Sequence, residues 1–353
     1  MKKNIGIVGC GIISLLISYK FFKLGHKVTI FEKEDLQGFA NCSTTAGGMI
    51  SPYSEQIHSD KKIFDLGFDS IHRWKKIISE LEMKVYFKTK GSLILAEREH
   101  RSELESICTR TNRYTNSNFK IITSKRISAL EPDIDCNDLI GLFFKEEGQI
   151  DCKQIINTLI NFLSTHNCSI NFKTEVKKIQ NNSIILDNDE KIKFDHVIEC
   201  TGSHTLNNNN IRAVRGEIIE VSAPEIKISR PIRLNHYRYP VYIIPRENGA
   251  YLIGATEIES EDFSPVSIRS AIELLNSSIV ISKRFSEARI ITLSSNCRPA
   301  YSDNLPKIRI RKDYISANGL FRHGYLLSPL IADLVVNYCL KDKKDKNLNY
   351  IYN

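Results

Sequence analysis

Two glycines one residue apart, Gly9 and Gly11, follow one short apolar run and precede another. Residues in that order bring a diphosphate to backbone N–H groups at the start of a helix. The first glycine permits a tight turn, and the second removes a Cβ that would block the phosphate. A third glycine is usual where helix and strand pack closely, and Ser14 takes that position. The demand there is for a small residue, so the serine weakens the pattern without breaking it. Glu32 ends the next apolar run, placed to meet the ribose hydroxyls of an adenosine. Gly9, Gly11, Ser14 and Glu32 therefore predict a dinucleotide site. They do not decide between NAD and FAD.

The stretch Ser43, Thr44, Thr45, Ala46, Gly47, Gly48 and Met49 is small and hydroxyl-rich. Such a stretch suits a chain running closely along a long cofactor. A run "FDHVIECTG" reads as a buried strand that ends on Thr201 and Gly202.

These residues need elements to hold them. "NIGIVG" predicts a strand, Ile12 to Leu24 a helix, Gly25-His26 a turn and "KVTIFE" a second strand. Phe64 to Leu81 is amphipathic with helical spacing. "KVYFKTKGSLILAE" alternates about a Lys90-Gly91 turn and predicts an antiparallel sheet in a new domain. "EEGQIDCKQIINTLINFL" returns to a helix. "SIILDNDEKIKF" reads as a hairpin, and Asn207 to Asn210 as a polar loop. From Ala213 the chain is strand-rich, with a helix near Ser267 to Lys283. It closes on a strand, a glycine loop and a helix. The expectation is an α/β chain of two interleaved domains. A Rossmann-like dinucleotide domain takes 1–84, 146–210 and 296–353, and an antiparallel-sheet substrate domain takes 85–145 and 211–295.

Composition fits an ordinary folded protein, 42% hydrophobic and 25% charged over 353 residues. Nine cysteines are scattered singly, without zinc spacing, which predicts reduced thiols, no metal and a cytoplasmic location. The apolar run after Lys2-Lys3 is broken by glycines and predicts neither a signal peptide nor a membrane span. The net charge of +8 is spread along the chain, with a lysine cluster near the C-terminus, and no nucleic-acid partner is expected.

With these motifs in place, the chain resembles the D-amino acid oxidase family of FAD-dependent oxidoreductases over nearly its whole length. Within that family it is most similar to the glycine oxidases of the thiamine pathway. The carriers include "GIVGCGIISLL", "STTAGGMISP", "VRGEIIEV", "YIIPRENGAYLIGAT", "CRPAYSDNLPKI" and "GLFRHGYLLSPLIADLV". The resemblance implies a two-domain (α+β) flavoprotein holding FAD non-covalently. It implies that Gly9, Gly11, Ser14 and Glu32 bind the adenosine diphosphate half, with Val176 beside adenine. Ser43, Thr44, Thr45, Gly47, Gly48 and Met49 would line the rest of the cofactor, with Thr201 and Gly202 nearby. Backbone groups at Gly324, Tyr325 and Leu326 would face the flavin pyrimidine. Arg298 would hold the substrate carboxylate through two parallel hydrogen bonds, helped by Tyr242, with Arg322 as a further active-site cation. His323 is expected to be structural.

The implied reaction is oxidation of glycine or a similar small amine or amino acid. Hydride passes from Cα to flavin N5, leaving an imine, and O2 is reduced to H2O2, in the service of thiazole synthesis. Sarcosine or D-amino acid oxidases and dehydrogenases share that chemistry. The FAD part of a tRNA wobble-uridine modifying enzyme and a flavin-binding protein without turnover are alternatives. A homo-oligomer is compatible with the sequence. Two departures lie near the pocket. Ser294-Ser295-Asn296-Cys297 stands where the family has Trp-x-Gly-Leu, and Gly319-Leu320-Phe321-Arg322 where it has Gly-His-Phe-Arg. Cys297 also lies near the position at which sarcosine oxidases attach flavin covalently.

Overall fold

The strand Asn4–Val8 leads through a turn into the helix Ile12–Lys23, which returns to the strand Lys27–Phe31, as the apolar runs predicted. The computed structural model describes residues 2–352 except 38–40, 56–58, 82, 167, 207–209 and 236–240. The expected loop Asn207 to Asn210 therefore falls mostly outside the described residues. Asn4–Val8 lies inside a six-stranded sheet. The order is Lys307–Ile310, Ile315–Asn318, His196–Glu199, Asn4–Val8, Lys27–Phe31 and Ser169–Asn171. Every pair is parallel except the first.

A parallel sheet needs both faces covered. Helices Ile12–Lys23, Ser70–Leu81, Cys152–Thr165 and Gly324–Lys341 supply one core, with Ile5, Ile7, Leu16, Trp74 and Val335 buried. On the other face lies an antiparallel meander of Val176–Gln180, Ser183–Leu186 and Lys191–Lys193. Its Phe194 ring packs so closely over Gly6 that a Cβ there would lie 2.6 Å from it.

The second sheet has eight strands. Its backbone is the long pair Arg212–Ser222 and Arg289–Ala300, antiparallel along its whole length. Helix Ile268–Ile281 covers one face over Ile219, Ile243 and Ile253. Helix Arg101–Thr115 covers the other over Ile94, Leu142 and Phe144. Among the described residues no helix is long and apolar enough to cross a membrane.

Three expectations are corrected. Phe64 to Leu81 is two helices, Lys61–Gly67 and Ser70–Leu81, and at the end of the first Gly67 packs against Leu326, where a Cβ would lie 2.6 Å away. The strands about Lys90-Gly91 are no hairpin. Phe87–Lys88 pairs with Gly148–Ile150, whereas Ser92–Glu97 enters the large sheet beside Leu139–Phe144. That sheet is also not wholly antiparallel, since Ile232–Leu234 runs parallel to Ser92–Glu97. Pairings this distant in sequence leave no local signature. Arg289–Ala300 runs unbroken across position 295/296, where the sequence reading changes domain.

Candidate active site

A cleft of about 1290 Å³ opens between the parallel sheet and the large sheet. That exceeds the volume usual for one drug-sized ligand and suits an elongated one. At one end, Gly9 N–H donates to the Phe31 carbonyl at 2.8 Å, closing the turn between strand and helix. Gly9 has φ +96°, and a Cβ there would meet the Cys200 carbonyl oxygen at 2.5 Å. Only glycine fits. Gly11 begins the helix in extended conformation without a side-chain cap, and the first turn carries no acid. The positive end of this helix therefore faces the cleft, lined by Gly9, Cys10, Gly11, Ile12 and Ile13.

Glu32 lies beside that turn. Its carboxylate accepts the Cys10 N–H at 2.8 Å and the Glu34 N–H at 3.1 Å. Burial raises its pKa against those hydrogen bonds. Val176, Thr174 and Glu175 form the adjoining wall, and Thr174 N–H donates to the Glu32 carbonyl. Ser43, Thr45, Gly47, Gly48 and Met49 continue the lining, as do Thr201 and Gly202. Ser43 Oγ accepts the Ile12 N–H at 3.0 Å, which ties the hydroxyl-rich stretch to the helix start.

Two of the expected cofactor residues do not line the cleft. Ser14 is fully buried and does not line the cleft; it lies in the helix packing beside the Cys200 thiol, where a small residue is required. Thr44 also lies off the cleft. Its hydroxyl donates to the Asn41 carbonyl and accepts the Asn41 N–H, closing a local turn.

At the far end a second helix N-terminus faces the same cleft. Helix Gly324–Lys341 begins beside Arg322 and His323, with no acid in its first turn. Gly324, Tyr325 and Leu326 line the cleft. Tyr325 is pinned there: its hydroxyl donates to the Ser43 carbonyl at 2.8 Å, and Trp74 Nε1 donates to its own carbonyl at 2.7 Å.

Arg298, from the long strand pair, extends over Gly216. Its guanidinium donates to the Thr256 carbonyl at 3.0 Å and more weakly to the Arg215 carbonyl at 3.5 Å. Among the described residues no carboxylate lies within ion-pairing distance of it. A Cβ on Gly216 would lie 2.3 Å from the guanidinium. We expect Gly216→Ala to displace Arg298 and raise KM about tenfold or more while flavin stays bound. An unchanged KM would mean that Arg298 has no part in holding substrate.

Tyr242 stands between Gly47 and Gly254; Cβ atoms added there would meet its side chain at 3.3 and 2.9 Å. Burial raises the phenol pKa, outweighing the pull of Arg298, Arg322 and Arg233. The hydroxyl is therefore a neutral donor at neutral pH.

Sequence reasoning missed Glu55, Arg233 and Glu257. Arg322 does not present a free charge, because its Nε lies 3.2 Å from Glu55 and its Nη1 3.2 Å from Glu257. Glu55 also pairs with buried Arg233, and His323 Nδ1 lies 3.2 Å from it. His323 Nε2 meets the Ser59 hydroxyl at 3.1 Å. Arg233 and Glu55 are separated by 178 positions, so no local pattern links them.

Cys297 is buried, and its thiol donates toward the Ser260 and Asp262 carbonyls at 3.6 and 3.5 Å. Burial raises its pKa, which opposes thiolate chemistry. Acid precipitation is expected to leave all flavin in the supernatant; yellow colour in the pellet would show a covalent link.

The two helix N-termini, the glycine cradle and the buried acid fit an anionic dinucleotide. Residues 4–338 match the model of the FAD dependent oxidoreductase (DAO) family, and the chain belongs to that family. A Rhizobium etli protein named as a thiamine biosynthesis oxidoreductase, ThiO, is 31% identical, over 95% of this chain and 96% of its own. Glycine oxidase of Geobacillus kaustophilus is 24% identical, covering 95% and 93%. The crystal structure of glycine oxidase from Bacillus cereus shares the fold, with TM-score 0.87 at 19% identity over 99% and 98% of the two chains. The chain is thus an FAD-dependent amine or amino acid oxidoreductase of the glycine oxidase type.

Proposed function

We propose that this enzyme oxidises glycine or a comparably small amino acid and that its imine product serves thiamine biosynthesis. The observation that carries the reading is Arg298, a cation in the cleft with only carbonyl partners among the described residues, beside a neutral tyrosine donor. One carboxylate answers that pair: two parallel bonds from the guanidinium and one from Tyr242. FAD bound in the cleft supplies the two-electron acceptor. The chain supplies position. Gly216 lets Arg298 extend, Gly47 and Gly254 clamp Tyr242, and the Thr256 carbonyl fixes the guanidinium. A carboxylate held at two points orients the neighbouring Cα–H, and this orientation is the main catalytic help.

Similarity to the Rhizobium etli ThiO and to the ThiO/ThiG bifunctional protein of Trichormus variabilis supports the thiamine role. This chain covers 55% of the latter. The reading includes non-covalent FAD, O2 as acceptor with H2O2 as product, and a cytoplasmic location. It keeps Gly9, Gly11, Glu32, Ser43, Thr45, Gly47, Gly48, Met49, Val176, Thr201, Gly202, Gly324, Tyr325 and Leu326 as cofactor residues. It also keeps the two interleaved domains, with the strand Arg289–Ala300 shared between them.

The test is the absorbance spectrum of the purified yellow protein under anaerobic conditions. Bleaching by glycine or sarcosine is expected, followed by peroxide formation on admitting air. A spectrum unmoved by either compound, and by small D-amino acids, would overturn the reading.

A further inference from the structure

The ionic groups around Tyr242 form a small, countable set. Three arginines act on its phenol: Arg233, Arg298 and Arg322. Three carboxyl groups face them, and one of these, buried Glu147, feels Arg233 while burial raises its pKa. Glu55 pairs with Arg233 and Arg322, and Glu257 holds the other side of Arg322. Burial would raise the Glu55 carboxyl, but Arg233, Arg322 and His323 hold it well below the usual carboxylate range, so it is ionised. His323 is lowered by burial against the pull of Glu55. A neutral His323 adds no charge. Arg233 and Arg322 are therefore each ion-paired, and Arg298 is the cation without a carboxylate among the described residues.

Glu55 is also held rigidly. It ends the short helix Pro52–Glu55. The preceding Ser54 gives its N–H and hydroxyl to buried Glu147, at 2.7 and 2.6 Å. Glu55 N–H donates to the Ser51 carbonyl at 3.1 Å. A carboxylate this buried and this firmly placed keeps two guanidiniums satisfied at the wall of a site that receives anions.

We propose that Glu55 is a specificity-determining residue that restricts the enzyme to substrates with one carboxylate, by occupying the two arginines that would otherwise bind a second. This rests on the reading of Arg298 as the carboxylate site. Removing the Glu55 charge leaves Arg233 and Arg322 seeking an anion, and a dicarboxylic amine such as iminodiacetate or D-aspartate provides one.

The experiment compares kcat/KM for glycine and sarcosine with that for iminodiacetate and D-aspartate. Wild-type protein favours the monocarboxylates. Glu55→Gln shifts the ratio toward the dicarboxylates by about tenfold or more. The double change Glu55→Gln with Arg233→Met takes away the positive charge that Glu55→Gln leaves unpaired and returns the ratio toward wild type. A ratio within about twofold of wild type in flavin-loaded Glu55→Gln overturns the proposal.

If burial of Glu55 makes that variant fail to fold, Glu257→Gln tests the same point from the exposed side of Arg322. It should move the ratio in the same direction, and no movement overturns the proposal. Binding is read separately, as stabilisation against heat by acetate and by malonate: wild type prefers acetate, and Glu55→Gln prefers malonate. A wild-type enzyme that oxidises no monocarboxylate amine defeats the proposed function. One that does, with an unmoved ratio, defeats only the role of Glu55.

Discussion

Arg298→Ala is expected to lower kcat/KM for glycine by about a hundredfold or more, the equivalent of ~3 kcal/mol of lost binding to a desolvated charge. Most of the loss should fall on KM. The carboxylate would keep Tyr242, but that hydroxyl is one neutral donor against two charged ones. No other cation takes over, because Arg322 and Arg233 are held by Glu55 and Glu257. Arg298→Lys should recover only part of the loss. An ammonium lacks the planar fork, and its shorter reach forfeits the Thr256 carbonyl. Steady-state kinetics with the flavin content of each variant measured would decide. A KM within twofold of wild type in Arg298→Ala would falsify the assignment.

The second large effect is at the glycine turn. Gly11→Val is expected to abolish FAD binding, whereas Ser14→Gly should leave the affinity within about threefold. A Cβ on Gly11 already meets the Ser43 hydroxyl at 3.2 Å, and the branches of valine would project into the face where helix and cleft meet. Ser14 lies behind that face, in packing that glycine also satisfies. Titration of apoprotein with FAD, followed by flavin fluorescence quenching, separates the two. Equal losses from both changes would mean that the serine reaches the cofactor.

The N-terminal unit was legible because a parallel sheet buries its strands on both faces and so writes them as continuous apolar runs. Asn4–Val8, Ile12–Lys23 and Lys27–Phe31 follow the sequence reading closely. Glu32 could be placed because its position follows from the length of that unit. Arg298 and Tyr242 are singled out by resemblance alone; by itself, an arginine or a tyrosine in a strand points to no chemistry. Glu55 and Arg233 were hidden for a different reason. Nothing in "SPYSEQ" or "RPIRL" marks them, and only the meeting of a short helix with a distant strand buries them together. Ser14 answers a demand for compactness that belongs to the buried helix packing, away from the cleft.

A change of one residue in length is not equally harmless along Arg289–Ala300. Its register against Arg212–Ser222 places Arg298 opposite Val214, with its guanidinium over Gly216. Alternate residues face opposite sides, so an insertion between Leu293 and Arg298 would turn the guanidinium away from the cleft. Beyond Thr292 the ladder already carries an extra residue, Ile291, at the junction of Glu220 and Val221. Such a bulge takes up a gained or lost residue locally. The outer end of this strand can therefore drift in length over evolution while the inner end cannot, and the bulge marks the border between the two regimes.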